Sequence, residues 1–153
     1  PNLSGQNQAY ALHQLRLIKS GEREIAVMAG LLDSMTDEDL QDLALHYASM
    51  PGKIGQSDEN LLGLGEAIYR GGILAKEVPA CTACHAPNGQ GNHLAGFPRI
   101  AGQPIAYTVA QLKLYRVGLR TSDENMNGMM RAVASRMTDT EMEAVANYVL
   151  GLY

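Results

Sequence analysis

Apolar residues recur at helical spacing in five stretches of the chain. Ile105, Val109, Leu112 and Leu119 form one row, and Leu12, Leu15 and Ile18 form a shorter one of the same kind. Met142, Val145, Ala146 and Val149 make a third, echoed by Leu40, Leu43, Ala44 and Tyr47, and Leu61, Leu64, Ile68 and Tyr69 make a fifth. Polar residues open several of these rows. Thr138 with Glu141, and Thr36 with Asp39, are capping boxes, in which two short side chains satisfy the unpaired N–H groups of a first helical turn. Ser57 is placed to cap the helix that carries Leu61. No pair of alternating apolar runs brackets a hairpin turn. The pattern predicts an all-α protein, with residues 50–56 as a linker punctuated by Pro51, Gly52 and Gly55.

The rows echo one another because the sequence repeats. At an offset of 97, ten of the 23 positions from Pro1 to Arg23 are identical to those from Pro98 to Arg120. The identities include Gln6 with Gln103, Tyr10 with Tyr107, Gln14 with Gln111, and Arg23 with Arg120. After a shift of five residues, Met28 aligns with Met130, and Met35-Thr36-Asp37 aligns with Met137-Thr138-Asp139. Such self-similarity means two copies of one unit. The copies are unequal, since residues 57–97 lead into the second copy while the first starts at Pro1. The expectation is a first unit over 1–50 that is the back part of a domain lacking its front, a linker over 51–57, and a complete unit over 58–153. A diverged helical appendage is the plainer alternative for the first half.

The chemistry sits in the segment that only the second copy has. Cys81-Thr82-Ala83-Cys84-His85 is a C-x-x-C-H run, the attachment signature of a c-type haem. Two cysteines one helical turn apart can each form a thioether to a haem vinyl group, and the next residue turns its imidazole toward the iron. Both cysteines of the chain are used by this run. Rival readings fit poorly. A thioredoxin-like pair wants a βαβ setting, and a structural zinc site wants four ligands, whereas the remaining His13, His46 and His93 have no finger spacing. A Cys81–Cys84 disulfide would leave His85 without a role.

A proximal histidine leaves the iron's other axial position open. Met/His ligation suits electron transfer, while an open position suits ligand binding. The candidates lie in a predicted loop, Met126-Asn127-Gly128-Met129-Met130; of these only Met130 has a methionine counterpart in the first copy, Met28. The plain alternative is that these methionines fill gaps in the core. His93 is a minor candidate for the same position.

Composition narrows the class. The net charge of −4 excludes the basic stripe that nucleic-acid binding needs. No apolar run is long enough to span a membrane. Aromatic residues make up only 5% of the chain, so a bound macrocycle would supply core that the side chains do not. Pro1 opens with neither a charged nor an apolar leader, so any signal peptide is expected to be gone already. Haem c attachment takes place in an oxidising, extracytoplasmic compartment, which predicts a periplasmic protein if the source is bacterial.

Several residues carry a resemblance to a known family. Cys81-x-x-Cys84-His85, Gly89-Gln90-Gly91, the run from Phe97 through Pro98 to Gln103, Met130 and the closing helix to Tyr148 are similar to class I c-type cytochromes. The paired arrangement resembles the dihaem cytochrome c4 family. The resemblance implies two tandem class I units, with a Pro98 carbonyl that accepts from the His85 imidazole and a crossing of first and last helices at Gly65, Tyr69, Val145 and Tyr148. It implies two haems in the complete pattern, of which this sequence can attach one. Met28 becomes the distal ligand of a first haem if the missing segment is present. The implied function is electron transfer without catalysis, with a quinol-oxidising complex as donor and a terminal oxidase as acceptor; peripheral membrane association is compatible with it. The rival is a haem enzyme or gas sensor with an open or displaceable distal site. One haem per chain is the direct prediction: the denatured mass should equal the 16.5 kDa polypeptide plus a single haem, and a second haem in the same sample would show that another segment supplies it.

Overall fold

A computed structural model describes residues 1–153 as an assembly of seven α-helices. These are α1 (Gln8–Ser20), α2 (Asp37–Ser49), α3 (Glu59–Gly71), α4 (Thr82–His85), α5 (Ile105–Arg116), α6 (Met129–Ala134) and α7 (Asp139–Leu150). Single 3-10 turns lie at Ala26–Met28, Leu74–Lys76 and Glu124–Met126, and the only extended pairing is two isolated bridges, Ile73 with Val78 and Asn92 with Phe97. The all-α expectation holds.

Both capping boxes form as the sequence implies. Thr36 Oγ1 accepts from the Asp39 N–H while the Asp39 carboxylate accepts from the Thr36 N–H, and Thr138 and Glu141 do the same at the head of α7. The head of α3 differs from the expectation. Asp58 caps it, accepting from the Asn60 N–H, and Ser57 instead donates its hydroxyl to the Asn147 carbonyl on α7. With Asp58, an equally good cap, one residue further on, Ser57 is free to tie the entry of α3 to the last helix.

Helix α3 crosses α7, and α5 and α6 complete that group. The crossing is close because Gly65 has no side chain: a Cβ there would lie 2.7 Å from Tyr148 Cβ and would collide with the Ala144 carbonyl oxygen. Tyr69 and Tyr148 pack beside it with ring centroids 5.4 Å apart. Tyr69, Leu112, Tyr115, Met142, Val145 and Val149 belong to one continuous buried core. Several residues of the second copy's expected stripes stay outside it: Leu61, Ile105 and Val109 are only half-buried, and two more are exposed. Leu64 is exposed on α3, and Leu119 lies past the end of α5, beyond the left-handed Gly118. Helical spacing continued on paper through residues that the glycine turn takes out of the helix.

In the first half, α1 packs against α2. Helix α2 buries only Leu40 and Ala44, whereas its repeat mate α7 buries seven residues. The difference is α3, which covers α7 and has no equivalent on α2, leaving Leu45 exposed. The α3–α7 crossing generates a paired prediction. Gly65→Ala should lower stability by about 3 kcal/mol, the upper range of overpacking costs. Gly63→Ala, two residues away with no atom within 4 Å of an added Cβ, should raise it by up to about 1 kcal/mol; urea midpoints of the two variants check both signs.

Candidate haem site

The C-x-x-C-H run forms one tight turn. The Cys81 carbonyl accepts from the N–H of Cys84 at 3.2 Å and of His85 at 2.9 Å, so both thiols and the imidazole hang from a single backbone loop. Ala86 ends the turn with φ +64°, and the Tyr69 hydroxyl donates to the Ala86 carbonyl at 2.6 Å. His85 is buried, with Nδ1 3.0 Å from the Pro98 carbonyl oxygen. A carbonyl can only accept, so Nδ1 carries the ring proton and Nε2 keeps its lone pair. Burial lowers the His85 pKa and outweighs the opposing pull of the Pro98 carbonyl. The ring is therefore neutral at pH 7, the state in which imidazole binds metal. Burial also pushes the Cys81 thiol up to about 11.

A cavity of about 1430 Å³ opens in front of this turn. Cys81, Cys84, His85, Pro98, Met130 and Met28 all line it. The structure thus brings the two cysteines, His85, Pro98, Met130 and Met28 to one cavity, from both halves of the chain. Met130 lies in the first turn of α6 and not in a loop, and it packs against the buried core. Gly128, at φ +68°, lets the chain swing into that helix. Met129 and Met126 also reach the cavity, but Met129 is exposed. Met28 ends the turn Ala26–Met28 and is half-buried. His93 does not line the cavity.

Across the cavity floor the two repeats meet in a reciprocal polar seam. Arg120 donates to its own copy's Gln111 at 2.7 Å and to Tyr10 and Gln14 of the other copy at 2.8 and 3.3 Å. Arg23 mirrors it, donating to Gln14 at 2.7 Å and to Tyr107 and Gln111 at 3.1 and 3.4 Å. A second pair of contacts obeys the same symmetry. The Gln6 side chain brackets the backbone N–H and C=O of Arg99, and the Gln103 side chain brackets those of Asn2. These residues carry no periodic apolar signal; the signal that marks them is their identity in the two copies.

The cavity fits a haem by the chemistry of its donors. Its lining is mainly apolar, yet Arg23, Arg99 and Arg120 line it without forming an ion pair. Gln14 Nε2 is buried there with no hydrogen-bond partner. Buried guanidinium groups and an orphaned N–H call for an acceptor of negative charge. A flat apolar macrocycle that carries carboxylates answers both demands.

The fold and the site define a c-type cytochrome. Residues 65–152 match the cytochrome c family. Cytochrome c4 of Stutzerimonas stutzeri is 43% identical over 162 residues, covering all of this chain and 77% of the relative, and that of Pseudomonas aeruginosa is 40% identical over 153 residues, covering 100% and 76%. The crystal structure of reduced recombinant cytochrome c4 from Pseudomonas stutzeri superimposes with a TM-score of 0.96 at 43% identity, over 99% of this chain and 84% of that one. The chain belongs to the cytochrome c4 family of class I c-type cytochromes. It binds haem c covalently, Cys81 and Cys84 fit the attachment motif, and its role is electron transfer between redox partners.

The seam yields a prediction of its own. Arg120→Ala takes a donor from Tyr10 and Ser122, leaves Gln14 and Gln111 with Arg23 alone, and should cost about 2–4 kcal/mol in a denaturant titration. Arg120→Lys should recover little of that loss, because the three N–H groups of one ammonium cannot match the four partners, Gln111, Tyr10, Gln14 and Ser122, that the planar guanidinium fork reaches.

Proposed function

We propose that the chain is a periplasmic electron carrier in which His85 and Met130 are the axial ligands of the iron. The haem supplies a one-electron ferric–ferrous couple when bound. Cys81 and Cys84 anchor it by thioethers, and their common turn leaves His85 little freedom to move. The observation that carries the reading is the Nδ1–Pro98 bond, which commits the His85 Nε2 lone pair to the cavity and raises the basicity of the ring. Met130, on a helix packed into the core, presents a thioether from a fixed position instead of a mobile loop. A carrier of this kind holds its residues still in both oxidation states, so that little has to rearrange as the electron arrives or leaves.

The division of labour along the chain follows from the repeat. Residues 58–153 form the unit that attaches haem, residues 1–50 contribute the other wall of the cavity, and 51–57 connect them. Met28 serves as the distal ligand of a first haem where a front segment for that unit is present. The partners proposed are a quinol-oxidising complex as donor and a terminal oxidase as acceptor, met in small, brief interfaces of the electron-transfer kind. No helix is long and apolar enough to cross a membrane.

Replacing Met130 with Ala tests the ligand set. The ferrous variant should bind carbon monoxide readily, whereas the unaltered protein binds it poorly. Ready binding by the unaltered protein would instead favour an enzyme or gas sensor with a displaceable distal ligand.

A further inference from the structure

We infer that Gln6, in the first half of the chain, is a positioning residue for the iron ligand of the second half, acting through the peptide group between Pro98 and Arg99. That peptide has two ends. Its carbonyl, on Pro98, accepts from His85 Nδ1 at 3.0 Å, and its N–H, on Arg99, donates to Gln6 Oε1 at 2.8 Å. The result is one unbroken chain of hydrogen bonds: Gln6 carbonyl, Arg99 N–H, Pro98 carbonyl, His85 ring. An amide whose N–H is bonded has a more negative oxygen, and each link strengthens its neighbours by about 10–30%. Gln6 therefore makes the Pro98 oxygen a stronger acceptor for the His85 proton.

The local structure is built to hold this arrangement. Gln6 is buried, and its Nε2 donates to the Arg99 carbonyl at 2.8 Å, so the side chain grips the residue from both sides. Gln6 Oε1 also accepts from the Asn7 N–H at 2.8 Å, which fixes the amide's own orientation. The Asn7 side chain donates to the Phe97 carbonyl, so the backbone is pinned on both sides of Pro98. None of these anchors belongs to the C-x-x-C-H segment; they lie 90 and 93 residues before the backbone groups they hold.

The consequence is a tuned potential. A stronger bond at Nδ1 makes the imidazole a more basic ligand, which favours the ferric iron. Loss of Gln6 should weaken that bond and raise the reduction potential of the haem held by Cys81 and Cys84. The repeat supplies an internal control, because Gln103 grips Asn2 in the same way. The Pro1 carbonyl at the corresponding place is not the one that His85 bonds. Removing Gln103 breaks as much of the seam and leaves His85 untouched.

The experiment compares Gln6→Met with Gln103→Met in the haem-loaded protein, by redox titration and by the NMR resonance of the His85 ring N–H. Methionine keeps nearly the volume of glutamine and removes both hydrogen bonds to Arg99, together with the one from the Asn7 N–H. The expected result is an upward shift of the potential and an upfield move of the ring N–H resonance in Q6M, with neither change in Q103M. Equal shifts in both variants, or no shift in Q6M, would overturn the inference, since the contact would then only hold the seam together. Should Q6M not fold, Gln6→Asn decides the matter: it keeps the amide but shortens its reach, and a smaller shift of the same sign is expected. The inference rests on His85 being the proximal ligand. An unchanged haem spectrum in His85→Ala would refute that reading and this one with it, and is separable from any result at Gln6.

Discussion

The constraint on which the rest of the structure depends is the need to bury a large apolar group beside a neutral, correctly oriented imidazole. Polypeptide alone does not fill the space between the two halves. Helices α3, α5, α6 and α7 pack into a sound core behind His85, but in front of it stands a cavity of about 1430 Å³, beyond the ordinary range of small-ligand pockets. Side chains around a space of that size gain dispersion and hydrophobic stabilisation only from an apolar group packed against them. The haem is therefore part of the fold as well as the carrier of the electron.

Symmetry between the repeats explains how part of the lining of a mainly apolar cavity can be polar. Arg23 and Arg120 each satisfy a glutamine of their own copy and a tyrosine of the other. Guanidinium groups that face neutral oxygens remain short of a counter-charge, and the carboxylates of a bound haem would supply it. A seam made of reciprocal hydrogen bonds also fixes register, because sliding one copy past the other would break every bond in it at once. The same seam brings Gln6 against the peptide that holds His85.

Much of this was present in the sequence, and the rest was absent for identifiable reasons. The two capping boxes, the stripe on α7 and the C-x-x-C-H turn are local, so residue type and spacing determine them. Pro98 was within reach only through resemblance to a family, because twelve residues of irregular backbone separate it from His85. Leu64 and Leu119 were misplaced since helical spacing says nothing about where a glycine ends a helix or which face a neighbour covers. Ser57 failed as a cap because Asp58 competes for the same place. The seam was visible only indirectly. Identity of Gln6, Tyr10, Gln14 and Arg23 with their counterparts marked these positions, but hydrogen bonds between polar side chains far apart in sequence leave no period to read.

The central claim is that the iron sits between an imidazole nitrogen and a thioether sulfur. Near-infrared absorption of the ferric protein, unaltered and at neutral pH, tests it most directly. A weak sulfur-to-iron charge-transfer band is the predicted result. Its absence from a protein that carries a full complement of haem would contradict the account and leave the sixth position to another ligand or to none.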